Sequence, residues 1–310
     1  MRAAGTARLP AAKALRYTVT MNEQIPDSPD SPDSPDSPDS PDSPDSPDAA
    51  RTLREAVAET AAEPTPFDIP LNILGLAAPF HWLRLGWQDF RRAPVIGVFY
   101  GACFAAMGWM LLLLFQHAPA YTLALSAGFL LMGPFMCLGL YDASRKLERG
   151  EAPGLWASLT AWRARTGTMA IFGGVLLVLE MLWGRASLIV FALSFDGMPD
   201  FKGSLLALLD PENLPFIIAY IAVGGLFAGL IFAISVVAMP MILDRQTDAI
   251  TAGLTSLRLC LTQPGVMLLW GALITLAVVL AMAPWFAGLL VLAPVLGHAS
   301  WHAYRAAVAA

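Results

Sequence analysis

Residues 95–115 read VIGVFYGACFAAMGWMLLLLF, and residues 120–141 read AYTLALSAGFLLMGPFMCLGLY, with only the four residues QHAP between them. Neither stretch contains a charged side chain, and each is as long as the roughly 20 apolar residues that a helix needs to cross a bilayer. A connection of four residues is too short for anything but an antiparallel return. The pair therefore predicts a membrane hairpin.

Three more apolar stretches follow, at residues 168–194, 214–243 and 266–302. The last is too long for one span and divides at Pro284 into 266–283 and 285–302. We therefore predict an all-α polytopic membrane helix bundle, with six spans arranged as three hairpins. Composition agrees, because 56% of the chain is apolar and 14% is charged, against about 25% charged residues in soluble domains. A soluble globular protein is excluded.

The first seventy residues differ in kind from the membrane domain predicted at residues 71–310. The triplet Ser-Pro-Asp repeats seven times over residues 28–48, which favours an extended, self-repelling chain without a core. We predict a disordered tail, either an acidic spacer or docking arm or an expanded repeat of little consequence; the true start could lie at Met21. The tail carries a net charge of −7 and the membrane domain +2, so the total of −5 indicates no particular partner.

The distribution of basic residues predicts the orientation of the spans. With the N-terminus in the cytoplasm, the outer segments contain one basic residue, Lys202, whereas the inner segments contain eleven Lys and Arg residues. We therefore expect a bacterial inner-membrane protein with both termini cytoplasmic. The eleven inner basic residues are Arg84, Arg91, Arg92, Arg145, Lys146, Arg149, Arg163, Arg165, Arg245, Arg258 and Arg305.

Each predicted hairpin is preceded by an amphipathic segment, in the windows 81–101, 153–174 and 251–271. In each window a short helix with Leu or Trp on one face and Arg on the other ends at a helix breaker, where a span begins. Such helices lie at the level of the lipid headgroups. We predict a threefold internal plan, with three interfacial helices forming a cytoplasmic collar against the bilayer.

Polar residues collect at the cytoplasmic ends of the second, fourth and sixth spans. If the hairpins are related, these ends converge on one side of the membrane. Two interpretations stay open: a binding or proton-handling site, or Asp–Arg pairs that tie helix ends together while arginines contact phosphate headgroups. The candidate residues are Tyr141, Asp142, Arg145, Asp244, Arg245, Asp248, His298, Trp301, His302, Tyr304 and Arg305.

Two histidines and two buried charges suggest more specific chemistry. His298 and His302 are four residues apart and share a helical face, the spacing that two ligands of one metal require. A closed site usually needs four ligands, so haem or transition-metal binding is an alternative to a hydrogen-bonding role. Glu180 and Arg185 lie inside the third span and point some 140° apart, at about 100° per residue. Each therefore needs a partner elsewhere or a wet cavity, as in a transport pathway.

Linked motifs along residues 70–308 resemble a bacterial family of integral membrane proteins, the domain of unknown function 2189. The residues that carry the resemblance are Trp82, Gly86, Trp87, Asp89, Arg92, Pro94, Tyr100, Gly101, Gly133, Pro134, Gly139, Tyr141, Asp142, Ser144, Arg145, Gly150, Glu151, Pro153, Met239, Pro240, Met241, Asp244, Arg245, Asp248, Ala252, Ser256, Pro294, Gly297, His298, Trp301, His302, Tyr304 and Arg305.

The resemblance implies a proteobacterial membrane protein without an established activity, although some family members carry a cytochrome c oxidase label. An oxidase core needs histidines deep in several helices, and these spans lack them. The soluble segments are too short for a catalytic domain, and nothing supports nucleic-acid binding. We expect a non-enzymatic accessory or scaffold protein, with a membrane protein complex, such as a respiratory complex, as an open partner. The alternatives are a small transporter or channel using Glu180 and the polar ends, and metal or haem binding at His298 and His302.

Overall fold

The computed structural model describes residues 68–117, 122–194, 211–245 and 247–309. Within these ranges the chain is almost entirely helical, with an isolated β-bridge between Leu71 and Val308. The predicted tail, with its Ser-Pro-Asp repeat and Met21, lies outside the described residues except for residues 68–70. The loop that carries Lys202 also lies outside them.

Ten α-helices lie in the described ranges, and two short 3-10 helices, Ala161–Arg165 and Pro211–Asn213, precede the fifth and sixth of them. The α-helices are α1 (Ala78–Arg92), α2 (Pro94–His117), α3 (Thr122–Glu148), α4 (Leu155–Leu159), α5 (Thr166–Ser194), α6 (Leu214–Ser235), α7 (Ala238–Asp244), α8 (Ala249–Thr262), α9 (Pro264–Met282) and α10 (Leu289–Ala307).

Four helical stretches of the described chain are long and apolar enough to cross a membrane: Pro94–Leu114, Leu155–Ser194, Leu214–Asp244 and Pro264–Met282. They overlap the predicted spans 95–115, 168–194, 214–243 and 266–283. The predicted spans 120–141 and 285–302 fall on α3 and α10, which are not among the four. Both helices become polar toward their C-terminal ends, and α3 continues seven residues beyond the predicted span.

The predicted amphipathic helix before the first span is α1. Its buried residues Pro79, Trp82, Gly86, Asp89 and Phe90 recur every three or four positions, so they share one helical face. This face packs against α10. These residues of α1 are therefore buried in the protein core, while Phe80 and Trp87 of the same helix are exposed. A proline at the first position of α2 separates the two helices, where its missing N–H costs nothing.

The fourth predicted span is one apolar stretch in the sequence but two helices, α6 and α7, in the structure. Ser256 of α8 causes the break. Its hydroxyl donates to the carbonyl of Ala233 at 2.7 Å and accepts from the amide of Val237 at 3.3 Å, so it replaces the bond that these two groups would form in a continuous helix. Pro240, one turn further on, has no N–H to offer the carbonyl of Val236. The α-helix is interrupted here, and Ser256 keeps the Ala233 carbonyl and the Val237 amide paired.

Close contact between α1 and α10 depends on a glycine. A Cβ at Gly86 would lie 2.5 Å from the carbonyl oxygen of Val295 and 2.7 Å from the amide nitrogen of Ala299. Both are backbone atoms, so no side chain can move aside to relieve the clash. Gly101 of α2 lies in the same way against the backbone of Leu290. Helix α10 therefore contacts the backbones of two neighbouring helices.

The segment before α1 is fastened to the other end of the chain; we call residues 68–74 the N-terminal strap. The amide of Asn72 donates to the carbonyl of Ala307 at 2.9 Å, and the amide of Ala309 donates to the carbonyl of Pro70 at 3.1 Å. The side chain of Gln263 accepts from the amide of Leu74 at 2.7 Å and donates to the carbonyl of Asn72 at 2.8 Å. The strap is thus held by the end of α10 and by the break between α8 and α9.

Replacing Gly86 by alanine should destabilise the bundle, because the new methyl group forces the α1 and α10 backbones apart. Overpacking of this kind costs roughly 1–3 kcal/mol. Gly174 in α5 is the matched control, since a Cβ there meets no atom of the described residues within 4 Å. We expect Gly86→Ala to lower the thermal unfolding midpoint of the detergent-purified protein and Gly174→Ala to preserve or raise it. Equal midpoints would contradict the proposed close contact.

Candidate functional site

The C-terminal ends of α3, α7 and α10 meet at one end of the bundle, where the sequence predicted that polar residues would converge. We call the charged and hydrogen-bonding residues at this place the polar cluster. Its described members are Asp89, Asp142, Ser144, Arg145, Lys146, Glu148, Arg149, Asp244, Arg245, His298, Trp301, His302, Tyr304 and Arg305.

The carboxylate of Asp244, the last residue of α7, has three side-chain partners, more than any other carboxylate of the cluster. The Tyr304 hydroxyl donates to its Oδ2 at 2.9 Å, and the guanidinium groups of Arg305 and Arg149 lie at 3.6 and 3.8 Å. Arg245 donates through Nε to the Tyr304 oxygen at 3.1 Å and also donates to the carbonyl of Ala309. Burial and the nearby Asp244 carboxylate raise the pKa of Tyr304 to about 12. The phenol therefore stays protonated and remains a donor at neutral pH.

Glu148 joins the end of α3 to α10. The Trp301 indole nitrogen donates to its Oε2 at 3.0 Å, and Arg305 Nε donates to its Oε1 at 3.1 Å. Because Arg305 also lies near Asp244, one guanidinium spans carboxylates from two different helices. The Arg305 guanidinium is planar and its five N–H donors point in fixed directions, so it joins the two carboxylates in a defined geometry.

Asp142 and Arg145 tie α3 to α7. Asp142 is buried and accepts from Arg145 at 2.6 Å and from Lys146 at 2.7 Å, the helical neighbours three and four residues on. Arg145 also donates to the carbonyl of Leu243 at 3.0 Å, which satisfies an acceptor near the end of α7. Tyr141 is buried in the hydrophobic core beside these groups and is not part of the ion-pair network.

The two histidines of α10 each contact a different helix. His298 Nδ1 hydrogen-bonds the Ser144 hydroxyl of α3 at 2.7 Å, and His302 Nε2 hydrogen-bonds Asp89 of α1 at 2.8 Å. Burial by itself raises the pKa of the Asp89 carboxyl, but the hydrogen bond and charge of His302 outweigh it and the pKa is lowered. Asp89 is therefore ionised and anchors α1 to α10.

A metal at His298 and His302 would need further ligands. The described part of the chain contains no group of three or more His, Cys, Asp or Glu side chains in a metal-binding arrangement. Both rings already hydrogen-bond neighbouring helices through one nitrogen. The residues at this place do not fit a closed four-ligand site, and haem or metal binding stays a prediction that an absorption spectrum and a metal analysis would decide.

Asp248, a predicted member of the cluster, has a different role. Its Oδ1 accepts from the amides of Ile250 and Thr251 at 2.8 and 2.9 Å, and so it caps the N-terminus of α8. No ion pair to an arginine of the polar cluster is present among the described side chains.

The two predicted intramembrane charges are separate from the polar cluster and from each other. Glu180 is buried and lines a cleft of about 320 Å³ between α3, α5 and α6. Its Oε1 has no hydrogen-bond partner among the described residues. Arg185 is exposed on α5 and forms no ion pair with Glu180, as the angle between positions five apart on a helix predicts.

Five members of the polar cluster are absent from the candidate residues that the sequence predicted: Asp89, Ser144, Lys146, Glu148 and Arg149. Asp89 lies on α1, which was predicted to be interfacial, and its burial against α10 depends on tertiary packing. Glu148 and Arg149 lie seven and eight residues beyond the predicted end of the second span. Residues 141–149 contain no glycine or proline that would end a helix. The sequence therefore contained a signal that the helix continues past the membrane boundary and includes Glu148.

A comparison with protein families supports the resemblance. A family model described as "Predicted integral membrane protein (DUF2189)" matches residues 122–244. The predicted resemblance is confirmed over these residues. They run from the start of α3 to the end of α7 and supply Asp142, Glu148 and Asp244 to the polar cluster. With the four membrane-length helices, the match identifies an integral membrane protein. No curated protein and no solved structure matches the chain.

Two neighbouring aspartates allow one substitution to be compared in two settings. Asp244→Asn turns the charge-assisted hydrogen bond from Tyr304 into a neutral one and removes the charge that Arg305 and Arg149 face, so we expect a loss of roughly 1 kcal/mol in the free energy of unfolding. Asp248→Asn should cost only a few tenths, because asparagine caps a helix as well as aspartate does. Chemical denaturation in detergent measures both. A larger effect at Asp248 would show that the polar cluster does not stabilise the bundle.

Proposed function

We propose that the chain is a six-span protein of the bacterial inner membrane with both termini in the cytoplasm. The two spans added to the four membrane-length helices are α3 and α10. The first eighteen residues of α3 contain no charged side chain. Residues 285–302, most of which lie in α10, contain no Asp, Glu, Lys or Arg.

Contacts between successive helices support the first two of the three proposed antiparallel hairpins. Along α5 and α6, Phe191 stacks edge-on to Phe216, while Trp183 lies beside Gly224, so the chain advances along one helix as it retreats along the other. Tyr100 of α2 contacts Gly139 of α3. In this arrangement α3, α7 and α10 end on the side where the basic residues collect, which supports a cytoplasmic location of the polar cluster.

We propose that the protein acts as a non-enzymatic accessory or scaffold protein. The pairing of the carboxylates in the polar cluster carries this proposal: each of the four (Asp89, Asp142, Glu148 and Asp244) is hydrogen-bonded by a side chain, and all four link or stabilise helix ends. Among the described residues, Arg145 Nε and His298 Nε2 are buried without a hydrogen-bond partner. Neither of the two cavities described in the molecule is lined by a cluster residue. Charges engaged in this way hold a shape and leave little capacity to bind a substrate.

The surface outside the cluster suits a partner within the membrane. Large apolar side chains such as Ile171, Val178 and Leu182 are exposed along α5, where they contact either lipid or another membrane protein. A respiratory complex is the partner that the oxidase label of some family members suggests.

Native complexes test this proposal. We expect that digitonin-solubilised membranes contain the protein in a band well above its own 33.2 kDa, together with respiratory subunits. Deleting the gene should lower the amount of that complex, the wild-type gene should restore it, and the Asp244→Asn variant should restore it less fully. If the protein migrates alone and the deletion leaves every respiratory complex at its normal level, the accessory role is wrong.

One observation favours a second candidate, a small transporter. Glu180 lies in a cleft within the membrane-spanning region, and one of its oxygens has no partner among the residues that the structure describes. Intramembrane carboxylates of this kind commonly mark substrate or ion pathways. Transport of a cation by the purified protein in vesicles would be the decisive measurement.

Cysteine labelling tests the orientation. Arg149→Cys and Lys202→Cys would be placed singly in a chain whose Cys103, Cys137 and Cys260 are replaced by serine. A membrane-impermeant maleimide should label position 202 in intact spheroplasts and position 149 only after the membrane is opened. Labelling of position 149 in intact spheroplasts would reverse the proposed topology.

A further inference from the structure

The middle of α5 carries a carboxyl group that the described side chains leave unbalanced. Glu180 has fourteen helical residues on either side within Thr166–Ser194, which places it about 21 Å from each end of the helix at 1.5 Å per residue. The residue is 7% exposed, and its Oε1 has no hydrogen-bond partner in the described part of the chain. An ionised carboxylate in such a place requires a counter-charge.

The cleft beside Glu180 is otherwise apolar and aromatic. It has a volume of about 320 Å³, and Glu180 is the only ionisable side chain among its described lining residues. Trp183, Phe227 and Phe232 form much of its wall. Pro134 of α3 closes one side, so the cleft lies between three helices and is not a furrow on one of them.

The lining discriminates between classes of ligand. A hard metal ion prefers about six oxygen ligands, and the cleft offers one carboxylate. An anion would be repelled by Glu180, and a neutral apolar molecule would leave the carboxylate unpaired. A hydrophobic cation satisfies both parts of the lining, because the carboxylate balances its charge and aromatic faces attract it. The volume lies at the lower end of the range for small-molecule sites.

We infer that this cleft binds a hydrophobic organic cation, such as a quaternary ammonium compound, with Glu180 as its counter-ion and Trp183, Phe227 and Phe232 as its aromatic wall. The cationic headgroup of a bilayer lipid is not the source, because the carboxylate lies near the middle of the span and headgroups lie at its ends. The inference is independent of the scaffold role and gives the transport candidate a substrate class.

Equilibrium dialysis of the purified full-length protein in detergent, with radiolabelled benzyltriethylammonium, tests the site. We expect saturable binding of one cation per chain. Glu180→Gln, which keeps the shape of the side chain and removes the charge, should weaken binding at least about tenfold, a loss of about 1.4 kcal/mol. Glu151→Gln is the matched control, since Glu151 is an exposed carboxylate between α3 and α4, and it should bind as the wild type does. Equal affinity in wild type and Glu180→Gln would overturn the inference, as would the absence of saturable binding.

Two further measurements keep the result interpretable. Trp183→Leu should weaken binding about fivefold, the effect of one partly desolvated cation–π contact. Because Glu180→Gln could disturb folding, the wild-type protein is also tested with benzyl alcohol, a neutral aromatic ligand. Displacement of the bound cation by benzyl alcohol at equal concentration would show a merely apolar site and would overturn the inference.

The same cation distinguishes this inference from the proposed functions. Glu180-dependent binding without uptake into proteoliposomes would support the site and remove the transport candidate. Uptake that is unchanged in Glu180→Gln would overturn the inference and leave transport standing. The scaffold role is judged separately by the native complexes, so a failure of one proposal does not conceal a failure of another.

Discussion

The guanidinium of Arg305 holds the ends of three helices in one register. It belongs to α10 and contacts Glu148 at the end of α3 and Asp244 at the end of α7. Within a bilayer, helices gain little from hydrophobic association with one another, because lipid is as apolar as their side chains. Directional polar contacts at the helix ends can therefore decide which alignment is adopted. This alignment also places His298 opposite Ser144 and His302 opposite Asp89.

The sequence was informative wherever a regular pattern reflects the membrane. Uninterrupted apolar stretches predicted the four membrane-length helices, and the placement of polar residues predicted that the ends of α3, α7 and α10 would meet. Pro240 lies beside the break between α6 and α7, but Pro134 and Pro294 lie within continuous helices, so a proline alone did not predict the break. The Ser256 hydroxyl that contacts both sides of the break comes from a helix further along the chain. Asp89 was missed for a similar reason. A lone acidic residue on an amphipathic helix looks exposed until the packing of that helix is known.

The carboxylates of the polar cluster and of Glu180 fall into two groups, those with hydrogen-bond partners within the described protein and one without. In the polar cluster every carboxylate has donors from neighbouring residues or helices, so the cost of burial is offset within the protein. The Oε1 atom of Glu180 has no such partner in the described part of the protein, and Glu180 lines a cleft instead. The two regions also differ in their surroundings, since the cluster lies at helix ends and Glu180 lies midway along a span. One bundle thus contains both a polar cluster with paired carboxylates and a carboxyl group within a span that has no counter-charge among the described residues.

The N-terminal strap has a consequence for how the protein is made. Residues 70–72 precede every described helix, yet their backbone partners are Ala307, Val308 and Ala309. During synthesis the strap cannot form these hydrogen bonds until nearly the whole membrane domain has left the ribosome and entered the bilayer. Until then these amide and carbonyl groups hydrogen-bond to water. The final turn of α10 thus completes the bundle, and a nascent chain that stops short of it leaves the first segment without its partners.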